Sequence, residues 1–234
     1  MAKESGKGIS AVLVLVSKIF TKARDWILDR SGLEYFMKET EEKTVPKHAL
    51  NPAYCLGGVT LVAFLILALT GFFLADYYEP SEGGAQRSIQ IISTKIPFGF
   101  YAKSIHSWSA NLMVIAVLLH TLRVFITGSY KNPRELTWMG GVILLVFTFL
   151  FVTTGYVLPM DERSDFAMAS LSGAFGWLRA IPYVGGVFNW ASDSVGEALI
   201  GSYWMHVTIL PIAIILFLLF HFYLIRKHGI SGPL

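Results

Sequence analysis

Four of the six histidines recur at a spacing that suggests chemistry. His106 and His120 are 14 residues apart, and His206 and His221 are 15 apart. At about 100° and 1.5 Å per residue, 14 helical steps leave a net rotation of about −40° and 15 leave about +60°, over a rise of about 21–23 Å. Each couple therefore lies on roughly one face of its helix, with its members near opposite ends. All four fall in stretches without Asp, Glu, Lys or Arg. Ionisable groups in such stretches are costly and rare unless functional. Two imidazoles meeting from facing helices are the ligand set of a bis-histidine haem iron. Two such levels would hold two b-type haems, with a path for electrons between them. A single intramembrane histidine reads more simply as a proton relay or a polar helix contact; two matched couples favour iron ligation.

The elements that must carry these histidines are legible from composition. The chain has 234 residues, 54% hydrophobic and only 15% charged, against about 25% charged in soluble proteins; mean hydropathy is +0.55. Four stretches free of Asp, Glu, Lys and Arg run from Ala49 to Ala75, Ser104 to Leu122, Leu136 to Met160 and Ala198 to Ile225. Each reaches the roughly 20 residues a helix needs to cross the hydrocarbon core. Tyr77, Tyr78 and Trp138 lie near their ends, where interfacial aromatics belong.

The second and fourth stretches are separated by one span and so run in the same direction. That places His106 level with His206 near the outer side, and His120 level with His221 near the inner side. An even number of spans puts both termini on one side. The N-terminal segment, the second-to-third loop and the C-terminus hold 14 of the 19 Lys and Arg. By the positive-inside rule the termini are expected to face the cytoplasm or its equivalent, with Lys131, Arg134, Arg226 and Lys227, close to span ends, carrying the argument.

Glycines echo the histidine repeat. Gly57 and Gly71 in the first stretch are 14 apart, as are Gly141 and Gly155 in the third. A haem wedged in a bundle needs close backbone approach from the helices that do not ligate it, which glycine permits.

Residues 1–50 are charged and amphipathic. Val12, Val16, Ile19, Phe20, Ala23, Trp26 and Ile27 recur at helical spacing, which predicts a helix lying on the membrane surface. No secretory cleavage pattern follows the first apolar run, so the N-terminus is expected to stay on the protein. The segment from Asp161 to Glu197 is too long for a simple turn and is predicted to hold short helices at the outer surface. The expected fold is all-α: an integral membrane four-helix haem-binding bundle over residues 51–234, preceded by the amphipathic surface segment over 1–50. Cys55 is the only cysteine, which excludes an internal disulfide; taken alone it reads as a small buried hydrophobe. The basic residues form no patch interleaved with aromatics, and no nucleic-acid partner is expected.

Several motifs carry a resemblance. They are Tyr54-Cys55-Leu56-Gly57-Gly58, Ser104-Ile105-His106-Ser107-Trp108-Ser109-Ala110, Lys131-Asn132-Pro133-Arg134-Glu135-Leu136-Thr137-Trp138, Thr154-Gly155-Tyr156-Val157-Leu158-Pro159 and the closing Arg226-Lys227-His228-Gly229-Ile230-Ser231-Gly232-Pro233-Leu234. Together they resemble the cytochrome b6 type of split cytochrome b, over nearly the whole chain from Tyr54 onward. The 15-residue step from His206 to His221 looks like this branch rather than the mitochondrial one.

The resemblance implies a low-potential outer haem b and a higher-potential inner haem b within a quinol:cytochrome c or plastocyanin oxidoreductase, with quinone and quinol as substrates. It implies a Rieske iron–sulfur protein, a c-type cytochrome and a subunit IV-like partner, in a homodimeric complex. Cys55 matches the position at which such chains attach a haem c through one thioether. Arg226 looks like the family arginine near an inner propionate; Lys103 and Arg134 are further cations at the outer and inner edges. Tyr156 and Pro159 would border the quinol site. Ser107 and Lys103 stand where many relatives have arginine, which puts outer propionate contacts in doubt. A Pro-Glu-Trp-Tyr motif is absent, so the chain alone is not expected to oxidise quinol. Two other readings compete: a dihaem anchor of a hydrogenase or formate dehydrogenase, and a haem-free structural or transport subunit.

Overall fold

A computed structural model of the chain describes residues 14, 16–22, 24–25, 47, 51–183 and 185–231. The surface helix expected within 1–50 lies largely outside the described residues; Val14 and residues 16–22 and 24–25 are helical and exposed. Residues 47–234 form a compact unit, and every regular element described in it is helical.

Helix α1 spans Pro52–Tyr77. Its start is set locally: the Asn51 side chain accepts from the Ala53 N–H at 3.0 Å, and Pro52 occupies a position where a missing N–H costs nothing. A short α2, Gly84–Thr94, follows, then α3, Gly99–Ile126, and α4, Glu135–Val157. The long connection after α4 contains α5, Glu162–Phe175, and two 3-10 helices, Gly176–Ala180 and Gly185–Ala191, in keeping with the expected short helices. Helices α6, Val195–Trp204, and α7, Leu210–His228, are joined by a π-helical turn, Met205–Ile209.

Among the described residues, four segments are long and apolar enough to cross a membrane: α1, α3, α4 and the continuous Val195–His228. Large apolar side chains such as Leu69, Phe72, Leu216 and Leu219 point outward, as they must where lipid replaces water. The chain is an all-α integral membrane protein. The helices run beyond the charge-free stretches, so Lys103 and Arg123 are helical residues near the ends of α3. Helix α2 was not expected, because it is short and polar. It forms by burying Ala85, Ser88 and Ile92 along one face, packed against α3.

The spans associate as two antiparallel couples, α1 along α3 and α4 along α7, while α3 and α7 make almost no close backbone approach. The well-filled apolar core lies toward the α4–α5 corner, where Val157, Leu171, Trp190, Leu199, Met205 and Leu210 pack together. Between the two helix couples, by contrast, the histidine-bearing helices stand apart.

Candidate haem site

Each histidine rests on one glycine of the antiparallel neighbour. A Cβ on Gly71 would meet His106 Cε1 at 3.3 Å, and one on Gly57 would meet His120 Cε1 at 3.2 Å. On the other couple, a Cβ on Gly155 would meet His206 Cε1 at 2.7 Å and one on Gly141 would meet His221 Cε1 at 3.3 Å. The glycine spacing copies the histidine spacing because the two sets are direct packing partners, read in opposite directions along antiparallel helices. The protein atoms nearest each glycine are those of the imidazole. Each ring is thereby held against its own helix couple and is largely but not fully buried.

At one level the rings of His106 and His206 face each other with centroids 6.3 Å apart and planes at 61°. A metal–imidazole nitrogen bond of about 2 Å, plus about 1 Å from nitrogen to ring centre, gives about 6 Å between the centroids of two rings ligating one metal from opposite sides. The observed spacing suits such a metal. At the other level His120 lies close enough to His221 for the two rings to interact electrostatically. No group of three or more His, Cys, Asp or Glu suited to a bare metal ion occurs among the described residues.

The π turn resolves the unequal spacing. Leu210 N–H bonds to Met205 O, five residues back, and Pro211 has no N–H to continue the α-helical ladder. A π turn accommodates one extra residue. The 15 residues from His206 to His221 therefore advance about as far around the helix as the 14 from His106 to His120.

The Nδ1 atoms are treated differently at the two levels. His106 Nδ1 lies 2.9 Å from Thr70 Oγ1. His206 Nδ1 lies 3.0 Å from Phe151 O and 3.3 Å from Thr154 Oγ1. Since Phe151 O can only accept, His206 Nδ1 carries the hydrogen and Nε2 keeps its lone pair for a metal. His120 Nδ1 and His221 Nδ1 are buried without a hydrogen-bond partner; the His221 ring faces the Thr137 backbone without reaching hydrogen-bond geometry.

The remaining expected residues fall in several places. Cys55 is exposed and sits in the first turn of α1, two residues before Gly57. Lys103 is half-buried, one turn before His106. Arg134 directs Nε to Gly229 O at 3.3 Å, so its guanidinium is engaged with the C-terminal tail. Arg226 lies in the last turn of α7, five residues after His221. Arg123 escaped the sequence reading. One turn after His120, its guanidinium lies 4.4 Å over the Tyr54 ring beside Cys55, and its buried Nε has no hydrogen-bond partner. Its place on the helix of His120 was the available signal.

Tyr156 and Pro159 flank the end of α4. The Tyr156 carbonyl accepts from Ser164 Oγ at 2.8 Å, and the Arg163 guanidinium lies 5.9 Å from the Tyr156 ring. Tyr78, just past α1, donates its hydroxyl to Leu158 O at 2.7 Å and stacks on Tyr203 at 5.6 Å. Burial, with a smaller contribution from Tyr203, raises the Tyr78 phenol above its ordinary range, so it stays protonated and donates. Asp161 caps α5 in a capping box with Ser164.

A protein-family model described as cytochrome b/b6/petB matches residues 40–229. The chain is 44% identical to cytochrome b6 of Desmonostoc sp. over 214 residues, covering 90% of this chain and 98% of that one. It is 45% identical to cytochrome b6 of Prochlorothrix hollandica over 213 residues, covering 89% and 94%. A solved chain described as hyperthermophilic respiratory complex III superposes with a TM-score of 0.75 at 29% identity, covering 89% of this chain. This chain spans 56% of that protein's length.

Proposed function

The chain belongs to the cytochrome b/b6 family, and we propose that it is the dihaem cytochrome b subunit of a quinol:cytochrome c or plastocyanin oxidoreductase, with a third, covalent haem at Cys55. In this reading His106 and His206 hold the outer haem b, and His120 and His221 the inner one. The observation that carries it is the 6.3 Å separation of the His106 and His206 rings across two helix couples that barely touch. A flat macrocycle between the couples would explain why α3 and α7 stay apart, and two imidazoles per level are the complement a porphyrin iron needs.

The residues supply the rest of the function. Gly57, Gly71, Gly141 and Gly155 seat the imidazoles, and the hydrogen bond from His206 Nδ1 to Phe151 O leaves Nε2 bare. Arg123 and Arg226 provide positive charge at the inner edge, and Lys103 at the outer edge, where cations would neutralise propionates. Arg123 adds to the set read from sequence, and its orphaned Nε fits a missing anionic partner. The exposure of Cys55 suits a thioether partner more than a core role. When bound, the haems supply reversible one-electron chemistry; the chain fixes their ligation, keeps water away and tunes their potentials.

Electrons would pass from an outer quinol site, bordered by Tyr156 and Pro159, to an inner quinone site, coupled to proton movement. Both termini would face the cytoplasm or stroma. A Rieske iron–sulfur protein, a c-type cytochrome and a subunit IV-like chain would complete a homodimeric complex, in which the partner chains would supply the rest of the outer site. A pyridine haemochrome assay before and after acid–acetone extraction tests the cofactor set. Two extractable haems and one retained per chain are expected. Complete extraction would remove haem c from Cys55, and no b-type haem would overturn the whole reading.

A further inference from the structure

At the His106–His206 level both hydrogen-bonded threonines directly precede the glycine that seats the ring: Thr70 before Gly71, and Thr154 before Gly155. Neither hydroxyl hydrogen is free. Thr70 donates to Ile66 O at 2.7 Å, and Thr154 to Leu150 O at 2.8 Å. Each oxygen is therefore left to accept from the imidazole Nδ1–H, and the chain from ring through hydroxyl to carbonyl polarises along its length. The corresponding positions at the other level, before Gly57 and Gly141, are Leu56 and Gly140, which offer no hydroxyl. There His120 Nδ1 and His221 Nδ1 have no hydrogen-bond partner.

We propose that Thr70 and Thr154 are positioning residues that make the His106–His206 pair the stronger electron donors and so hold the outer haem at a lower reduction potential than the inner one. The proposal rests on the haem reading above. A hydrogen bond accepted from the far nitrogen of a metal-bound imidazole raises its basicity. A more basic histidine pair would favour the oxidised form of the iron it holds, so the site would give up its electron more readily; hydrogen bonding beyond the ligands is one of the protein's means of setting haem potential. The two levels then differ in the direction that makes outer-to-inner transfer downhill, through two side chains that do not touch the iron.

The test is an anaerobic redox titration of the purified complex, following the b-type absorption, for wild type, T70V, T154V, the double valine variant and the double serine variant. Valine keeps the shape and removes the hydroxyl; serine keeps the hydroxyl. At a fixed potential near the outer midpoint, the reduced-to-oxidised ratio of the outer haem should rise several-fold in the double valine variant. A tenfold change corresponds to about 59 mV for one electron. The inner curve should stay in place, and serine should return the outer curve toward wild type. The single variants should each shift part of the way, which keeps the test intact if the double variant does not assemble. Outer curves that superimpose on wild type with both haems bound would overturn the proposal while leaving the haem reading standing. Equal movement of both curves, or loss of the outer haem that serine fails to restore, would also overturn it. A wild-type complex without two b-type components would instead overturn the haem reading itself.

Discussion

Gly155 approaches His206 more closely than any other glycine approaches its histidine: a Cβ there would stand 2.7 Å from Cε1, against 3.2–3.3 Å at the other three positions. Real Cβ atoms essentially never come under 3.0 Å of such a neighbour, so alanine at 155 must displace the ring, whereas at 57, 71 and 141 a shift of a few tenths of an ångström suffices. Overpacking of this kind costs about 1–3 kcal/mol. Gly155→Ala should therefore lose most of the outer b-type absorption per polypeptide, while Gly57→Ala, Gly71→Ala and Gly141→Ala retain most of theirs. A flat ranking across the four would contradict the packing geometry.

The π turn gives α6–α7 one spare residue that α3 lacks. Deleting Thr208 should convert the turn to ordinary α-helix and leave His206 and His221 in phase, so both b-type components persist. Deleting Leu118 removes a residue from a helix with nothing to absorb it and rotates His106 by about 100° relative to His120. That variant should lose a b-type component. Haem counts on the two deletion variants check this, and equal damage from both would remove the compensating role of the turn.

How much of this was visible in the sequence follows from physical cost. The four histidines were legible because lipid makes every intramembrane ionisable group expensive, and because a helix converts spacing into phase. The 14-residue glycine repeat was legible as a repeat, but its contact with the imidazoles was not, since sequence gives spacing without saying which side chain lies against each glycine. The π turn left its trace in the 15-residue step and in Pro211, but a backbone irregularity shifts phase without altering composition. Helix α2 was hidden because Ala85, Ser88 and Ile92 bury a narrow face in an otherwise polar segment. Arg123 was missed because its significance lies in Tyr54, far away in sequence and 4.4 Å away in space.

Tyr78 fastens the exit of α1 to the end of α4 through Leu158 O. Tyr78→Phe removes this bond and leaves the carbonyl without its donor, at a cost of about 0.5–1.5 kcal/mol. The thermal midpoint, followed by far-ultraviolet circular dichroism in detergent, should fall by about 2–4 °C per kcal/mol. An unchanged midpoint would show that water replaces the phenol without loss.

Partial burial pushes the Asp161 carboxyl up, but the Arg163 guanidinium at 2.7 Å and the backbone N–H groups of Arg163 and Ser164 outweigh it and hold the carboxyl below its ordinary range. A depressed acid contributes stability that is present above its unfolded value and is lost as pH falls through the folded one. The cap on α5 should therefore hold at neutral pH and weaken only below about pH 4, the usual Asp range. Amide hydrogen exchange in α5, compared between wild type and Asp161→Asn, should show a pH dependence in the first that is reduced in the second. Identical profiles would exclude Asp161 as the titrating cap.

The pairing of histidines across the bundle is tested most directly by redox titration of four single variants, His106→Ala, His120→Ala, His206→Ala and His221→Ala, each in the assembled complex. His106→Ala and His206→Ala should abolish the same b-type component, and His120→Ala and His221→Ala should abolish the other, with the surviving component's midpoint close to wild type. If the two members of either couple remove different components, or if both components survive the loss of any one of these histidines, the bis-histidine assignment is wrong.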